Sequence, residues 1–212
     1  MTKIRAVLFD LDGVLLDTEG IYTEFWSSID RKYPTGIENF ALRIKGTTLP
    51  DILEKYFPAA IHNEIRSLLA DFENNMPFML FDGAERVLVE LHHRHIATAV
   101  VTSSNREKMV RVFNALPVLS ENIDTLVTDE DVTASKPDPQ GYILAAGRLE
   151  ALPDAFAVIE DSVNGLKAAR ASGGKVIALA TTNPRHMVEP LADIVFDDIS
   201  GLDVESLLLE TV

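Results

Sequence analysis

Cysteine is absent from the 212 residues, which excludes disulfides and thiolate metal sites. Basic residues are scarce, with 19 Lys and Arg against 33 Asp and Glu and a formal charge of −14. Such a surface repels nucleic acid and anionic membranes, whose binding needs clustered cations. Neither is an expected partner. The same surface repels an anionic substrate, so a phosphate site here must supply local cations of its own. Long apolar runs are missing as well, and none approaches the roughly 20 residues of a membrane-spanning helix. The first run, Ala6 to Phe9, is too short for a signal-peptide core and is followed at once by Asp10 and Asp12. A cytoplasmic protein is the expectation. No internal repeat and no low-complexity segment is present.

What the chain does have is an ordinary globular balance, 47% apolar and 25% charged, with length for a core domain plus a small insert. Short continuous apolar runs recur at Ala6–Phe9, Thr98–Val101, Ile123–Val127, Ala157–Ile159, Val176–Ala180 and Ile194–Phe196. Runs of Val, Ile and Leu without alternation suit strands buried on both faces. Helical spacing lies between most of them, as in Val87, Leu88 and Leu91 or Leu166, Ala169 and Ala171. The pattern predicts a doubly wound α/β domain. Residues 15–81 break the alternation. There the spacing predicts helices around Phe25, Trp26 and Ile29, around Ile52 and Leu53, and around Ile65, Leu69 and Phe72. The expected organisation is a core of residues 1–14 and 82–212 with a small all-helical domain inserted after the first strand.

Ligands of open α/β sheets bind beyond the carboxyl ends of the strands, and four of those ends carry distinctive residues. The first reads Asp10-Leu11-Asp12-Gly13-Val14, where carboxylates two apart can face one site and call for a hard divalent cation. Asp-Gly between apolar runs equally suits a hairpin turn. The second, Thr102-Ser103-Ser104, leads into a helix in which Ser104 and Glu107 have capping-box spacing. Its N-terminus favours an anion, although a capped helix needs no ligand to explain it. The third, Lys136-Pro137-Asp138-Pro139, holds one Lys in a rigid loop; a solvated surface Lys would read the same. The fourth, Glu160-Asp161-Ser162, either complements the following helix dipole or completes a metal site.

Taken together, these four motifs resemble in content and order those of the haloacid dehalogenase superfamily. The helical insert after the first motif is similar to that of its β-phosphoglucomutase-like branch. The resemblance extends from the first strand to Ala180. It implies that Asp10 is a nucleophile forming an aspartyl-phosphate and that Asp12 is the acid and base, a role that requires a raised pKa. It further implies Mg²⁺ held by Asp10, the Asp12 carbonyl and Asp161, with Glu160 acting through water. Thr102, Ser103 and Lys136 would bind the phosphoryl oxygens. An acid at position 12 argues against dehalogenation.

The cap-side substrate residues implied by the same resemblance are Thr18, Tyr22, Trp26, Lys45 and Gly46. Tyr22 stands where the sugar-phosphate mutases of that branch carry a histidine. Their phosphate-binding arginine falls on Leu49, and their cap lysine falls near Phe72. A mutase holds a second phosphate at the cap, which requires cations there. Hydrolysis of a small phosphorylated metabolite such as a sugar phosphate is therefore expected. Mutase activity through Arg43, Lys45 or Arg66 is the alternative, and a non-catalytic phosphometabolite-binding protein is a third reading. No cap lysine stands out for phosphonate cleavage. His92, His93 and His95 suit a helix C-terminus better than a metal cluster. Leu207-Leu208-Leu209 is expected to close a last helix onto the core, in a monomer or weak homodimer.

Overall fold

The structure is a computed structural model that describes residues 4–208. Six strands form one parallel sheet: β1 (Ala6–Phe9), β2 (Ala97–Val101), β3 (Thr125–Val127), β4 (Phe156–Glu160), β5 (Lys175–Leu179) and β6 (Ile194–Phe196). Their spatial order is β3-β2-β1-β4-β5-β6. The chain thus winds outward from β1 to one edge and then returns to wind from β4 to the other. In register, Ala6 lies beside Ala97 of β2 and beside Phe156 of β4. That reversal at β1 opens a crevice above the carboxyl ends of the central strands.

The continuous apolar runs have the predicted cause. Alternate residues of each strand enter two separate cores, one on each face of the sheet. Val7, Phe9, Val100, Ile159, Ile177 and Leu179 pack against the helices α5 (Ala84–His93), α6 (Arg106–Ala115), α7 (Pro117–Asn122) and α11 (Val204–Leu208). Ala6, Leu8, Ala99, Val158, Val176 and Ala178 pack against α8 (Gln140–Arg148), α9 (Val163–Ser172) and α10 (Arg185–Val188). The third strand starts later than its apolar run. Asp124 still donates its N–H to Thr98 O at 3.0 Å, but its carboxylate takes the place of a backbone carbonyl by accepting from the Thr98 N–H at 2.8 Å.

Between β1 and α5 the chain is helical: α1 (Glu19–Lys32), α2 (Phe40–Arg43), α3 (Leu49–Tyr56) and α4 (His62–Asn75). These helices bury a third apolar cluster of their own, including Trp26, Ile29, Phe40, Leu53 and Ile65. Most of its ring pairs meet edge to face, as Trp26 and Phe40 do at 6.3 Å. The segment leaves and re-enters the core at one place. Asp17 N–H donates to Met79 O and Phe81 N–H to Leu15 O, both at 2.9 Å, across an antiparallel bridge between Leu16 and Leu80.

At the end of the chain, Leu207 is buried against the core, while Leu209 lies outside the described residues. No helix among the described residues is long and apolar enough to cross a membrane. Ile159 is fully buried in the central strand β4. Ile159→Ala is expected to cost about 2–5 kcal/mol, read as a lower urea midpoint with an unchanged m-value.

Candidate active site

β1 carries no polar side chain until Asp10, where the chain leaves the sheet and the Asp10 N–H donates to Ile159 O at 3.0 Å. The loop after β3 sends Lys136 underneath it. The Lys136 ammonium donates to Asp10 Oδ1, to Glu160 Oε1 at 2.7 Å and to Val101 O at 3.2 Å. It also sits 5.0 Å from the centre of the Tyr142 ring. Burial alone would pull this ammonium down, but Asp10 and Glu160 more than reverse it and hold Lys136 well above its ordinary value. Burial pushes Asp10 up to about 7 against the pull of Lys136, with Glu160 adding to the rise.

Glu160 is fully committed as the second counter-charge. Its Oε1 also accepts from Tyr142 Oη at 3.1 Å. Its Oε2 accepts from the N–H groups of Asp161 and Ser162, each at 2.8 Å, and from the Ser162 hydroxyl. Its contacts within the protein are thus centred on Lys136 and the turn into α9. Gly165 makes the arrangement possible, because a Cβ there would lie 1.7 Å from Glu160 Oε1.

Asp161 faces the opposite way, toward Gly13. A Cβ on Gly13, whose φ is +90°, would lie 2.1 Å from Asp161 Oδ2, so the first and fourth motifs meet there. That oxygen is buried with no hydrogen-bond partner. Burial first, then the charges of Glu160 and Asp10, push the Asp161 carboxyl well above its ordinary value. An orphaned oxygen beside a second desolvated carboxylate is the donor set of a hard cation that keeps most of its water. An ion of that kind takes one or two carboxylates from the protein. The residues fit Mg²⁺.

Asp12 departs from expectation. Its carboxylate accepts from the Thr18 hydroxyl at 2.5 Å, the Ser104 hydroxyl at 3.2 Å and the Lys108 ammonium at 2.6 Å. Burial raises its pKa, but Lys108, followed by these hydrogen bonds, overrides that and leaves Asp12 below its ordinary value. The raised pKa required of an acid is thus corrected by a fully buried ammonium. The predicted capping box at Ser104 and Glu107 is corrected with it. Ser104 spends its hydroxyl on Asp12, and Asn105 caps α6 by accepting from the Lys108 N–H at 2.8 Å. Thr102 accepts from the Ser104 N–H at 3.0 Å, which leaves its own O–H to donate.

The cap closes the pocket from above. Asp10, Asp12, Thr102, Ser103 and Asp161 line it together with Tyr22, Trp26, Lys45, Gly46 and Leu49. Ser103 Oγ donates to Gly46 O at 2.8 Å, and Asn164 Nδ2 donates to Lys45 O at 2.9 Å. Lys45 is paired with the Glu19 carboxylate and is the one Lys or Arg among the pocket-lining residues. Arg43 and Arg66 are exposed and line no part of it.

Comparison with known proteins agrees with this layout. A sequence model described as haloacid dehalogenase-like hydrolase matches residues 7–179. The chain belongs to that family. Among curated relatives of this haloacid dehalogenase-like hydrolase is the validoxylamine A 7′-phosphate phosphatase of Streptomyces hygroscopicus subsp. limoneus. It is 29% identical, over 92% of this chain and 94% of that one. A β-phosphoglucomutase of Mycobacterium tuberculosis is 27% identical over 94% and 92% respectively. The structure of a hydrolase from Pseudomonas syringae superposes with a TM-score of 0.82 at 21% identity, over 96% of this chain and 97% of that one.

Of the residues named from sequence, Thr18 touches the site only through Asp12. Trp26 is both buried in the cap cluster and part of the pocket wall. Phe72 stacks on Phe25 at 4.6 Å, and it is its neighbour Glu73 that lines the pocket. Sequence reasoning missed Lys108, Glu73, Asp129 and Tyr142. For Lys108 there was a signal, since a cation in the first turn opposes the helix dipole and needs a reason.

Two outcomes are expected. Lys108→Met leaves Asp12 buried and unpaired, at a cost of about 3–5 kcal/mol in stability. It also moves the acid limb of the pH–rate profile up by roughly a unit or more. A limb that stays in place would show that Lys108 does not set Asp12. The second concerns the ion. A carboxyl raised from 3.8 to about 7 stabilises the fold fully below its unfolded value, and this is lost as pH rises toward 7. Asp12 has the opposite sign and acts below its ordinary value, outside that window. Tm without metal therefore falls between pH 4 and 7, and added Mg²⁺ raises Tm more at pH 8 than at pH 5. Equal shifts at both pH values would contradict the site.

Proposed function

We propose that the protein is a Mg²⁺-dependent phosphatase of small phosphorylated metabolites, sugar phosphates in particular, working through an aspartyl-phosphate on Asp10, with the helical segment as its cap. The observation that carries this reading is a buried carboxylate, Asp10, sharing one pocket with Asp161 and Thr102 and held from below by Lys136. The names of its relatives, phosphatases and phosphomutases, support the same chemistry.

In the first half-reaction an Asp10 oxygen attacks phosphorus while the bond to the leaving oxygen breaks, that oxygen taking its proton from the minor protonated form of Asp12. Lys136 fixes the attacking carboxylate, and the Thr102 hydroxyl and the Ser103 amide would face the phosphoryl oxygens. Mg²⁺, held by Asp10, Asp161 and the Asp12 carbonyl, would supply charge neutralisation for the phosphoryl group. In the second half Asp12, kept as a carboxylate by Lys108, takes a proton from water as that water displaces Asp10 from phosphorus. The same charge makes Asp12 a reluctant acid toward the leaving oxygen, so esters with poor leaving groups are expected to be slowest in the first half.

Hydrolysis is favoured over mutase chemistry by the charge of the pocket. Leu49 is apolar where the mutases' arginine would stand, Glu73 brings an acid, and Lys45 is already paired with Glu19. A second phosphate would find no uncommitted cation there.

The test is phosphate release from a panel of sugar phosphates with Mg²⁺. Asp10→Asn is expected to lose turnover by roughly three orders of magnitude or more while keeping its circular dichroism spectrum. Retained turnover would remove Asp10 as the nucleophile. Glucose 6-phosphate formed from β-glucose 1-phosphate without phosphate release would replace the phosphatase with a mutase.

A further inference from the structure

Where the cap wall meets the loop after β3, the pocket is lined by Glu73 and Asp129, with Asn105 and Tyr22 beside them. Glu73 is satisfied within the protein. It accepts from Tyr22 Oη at 2.7 Å and from Arg111 at 3.3 Å. Asp129 is different. Its neighbour Glu130 is turned to the start of α6, accepting from the Arg106 N–H at 3.0 and 3.1 Å, and the Asp129 N–H is spent on Ser104 O at 3.2 Å. Asp129 Oδ1 is buried and has no hydrogen-bond partner. Burial, then the hydrogen bond and charge of Glu130 with the charge of Glu73, push this carboxyl up to about 7.

A buried acceptor without a donor, in the wall of a substrate pocket, is a demand on the ligand. The ligand can meet it with an O–H or an N–H, and best with an ammonium, since a charged donor makes the stronger bond. A second phosphate or a carboxylate cannot meet it. Such a group would be desolvated against Asp129 and Glu73, and Lys45, the one lining cation, is held by Glu19. The asymmetry is steep, because Lys136 lies beneath the phosphoryl end of the pocket while this wall presents two carboxyl groups, Glu73 and Asp129.

We propose that Asp129 is a specificity-determining residue that accepts hydrogen bonds from the leaving group, so that the substrate is the monophosphate of a polyol or aminopolyol bearing no second anion. This deepens the phosphatase reading above and rests on it for the orientation of the ester. The commitment is chemical: the leaving group is rich in donors and neutral or cationic.

The test separates the two readings. Turnover of p-nitrophenyl phosphate by the wild-type protein with Mg²⁺ reports on the phosphatase alone. Specificity is read as binding, by titration calorimetry on the Asp10→Asn protein with Mg²⁺, so it needs no turnover. The probes are glucosamine 6-phosphate, glucose 6-phosphate, 6-phosphogluconate and fructose 1,6-bisphosphate. The first two are expected to bind at least about tenfold more tightly than the last two, as the loss of one charge-assisted hydrogen bond would give. Adding Asp129→Asn, nearly isosteric, should reduce the preference for glucosamine 6-phosphate over 6-phosphogluconate by about tenfold. Asp129→Lys should reverse it, with circular dichroism confirming that both variants fold. The proposal is overturned if the bisphosphate binds as tightly as the aminosugar phosphate. It is equally overturned if the preference stays within twofold in a folded Asp129→Asn variant.

Discussion

The buried ammonium of Lys136, wedged between Asp10 and Glu160, is the contact on which the rest of the site depends. Three strand ends and the loop after β3 converge on it: β1 gives Asp10, β2 gives the Val101 carbonyl, and β4 gives Glu160. Without that positive charge, two desolvated carboxylates would face each other in the interior, an arrangement far costlier than the paired one. The pairing also explains the division of labour at the fourth motif. Glu160 turns inward to balance the lysine, which frees Asp161 to face the crevice with an unshared oxygen. Gly165 is required because the inward turn brings Glu160 against the first turn of α9.

A second ammonium repeats the theme on the cap side. Lys108 is fully buried, bonded to Asp12 and Ser104, and 4.6 Å from the centre of the Tyr22 ring. Tyr22 in turn reaches Glu73, and Glu73 reaches Arg111 of α6. Charges from core and cap therefore alternate in sign along one path that begins at the proposed base. In a protein of net charge −14, the ammonium groups of Lys136 and Lys108 are both internal, where solvent and salt screen them least.

Much of this was legible in the chain because the fold repeats simple physics. Unbroken runs of Val, Ile and Leu marked strands with two covered faces, and the polar residues closing them marked the crevice. Asp10, Thr102, Lys136 and Asp161 were each ambiguous alone and became readable through their common position at strand ends. Lys108, Glu73 and Asp129 were not readable in that way. Lys108 and Glu73 lie within helices whose spacing reports only which side is apolar, and Asp129 sits in a connection between elements. Their roles come from which side chains meet across cap and core, a property of tertiary packing. The lowered pKa of Asp12 was hidden for the same reason, since its partner Lys108 is 96 positions away along the chain.

The doorway formed by Leu16 and Leu80 has a wider meaning. Because the inserted helices depart and return through adjacent backbone, joined by their own short ladder, both covalent links between insert and sheet sit at one fixed seam. The remaining bonds between insert and core, such as Ser103 to Gly46 and Arg111 to Glu73, lie around the pocket and not at this seam. A graft of a different insert can therefore use this seam, provided the residues it brings to the pocket wall are chosen with it.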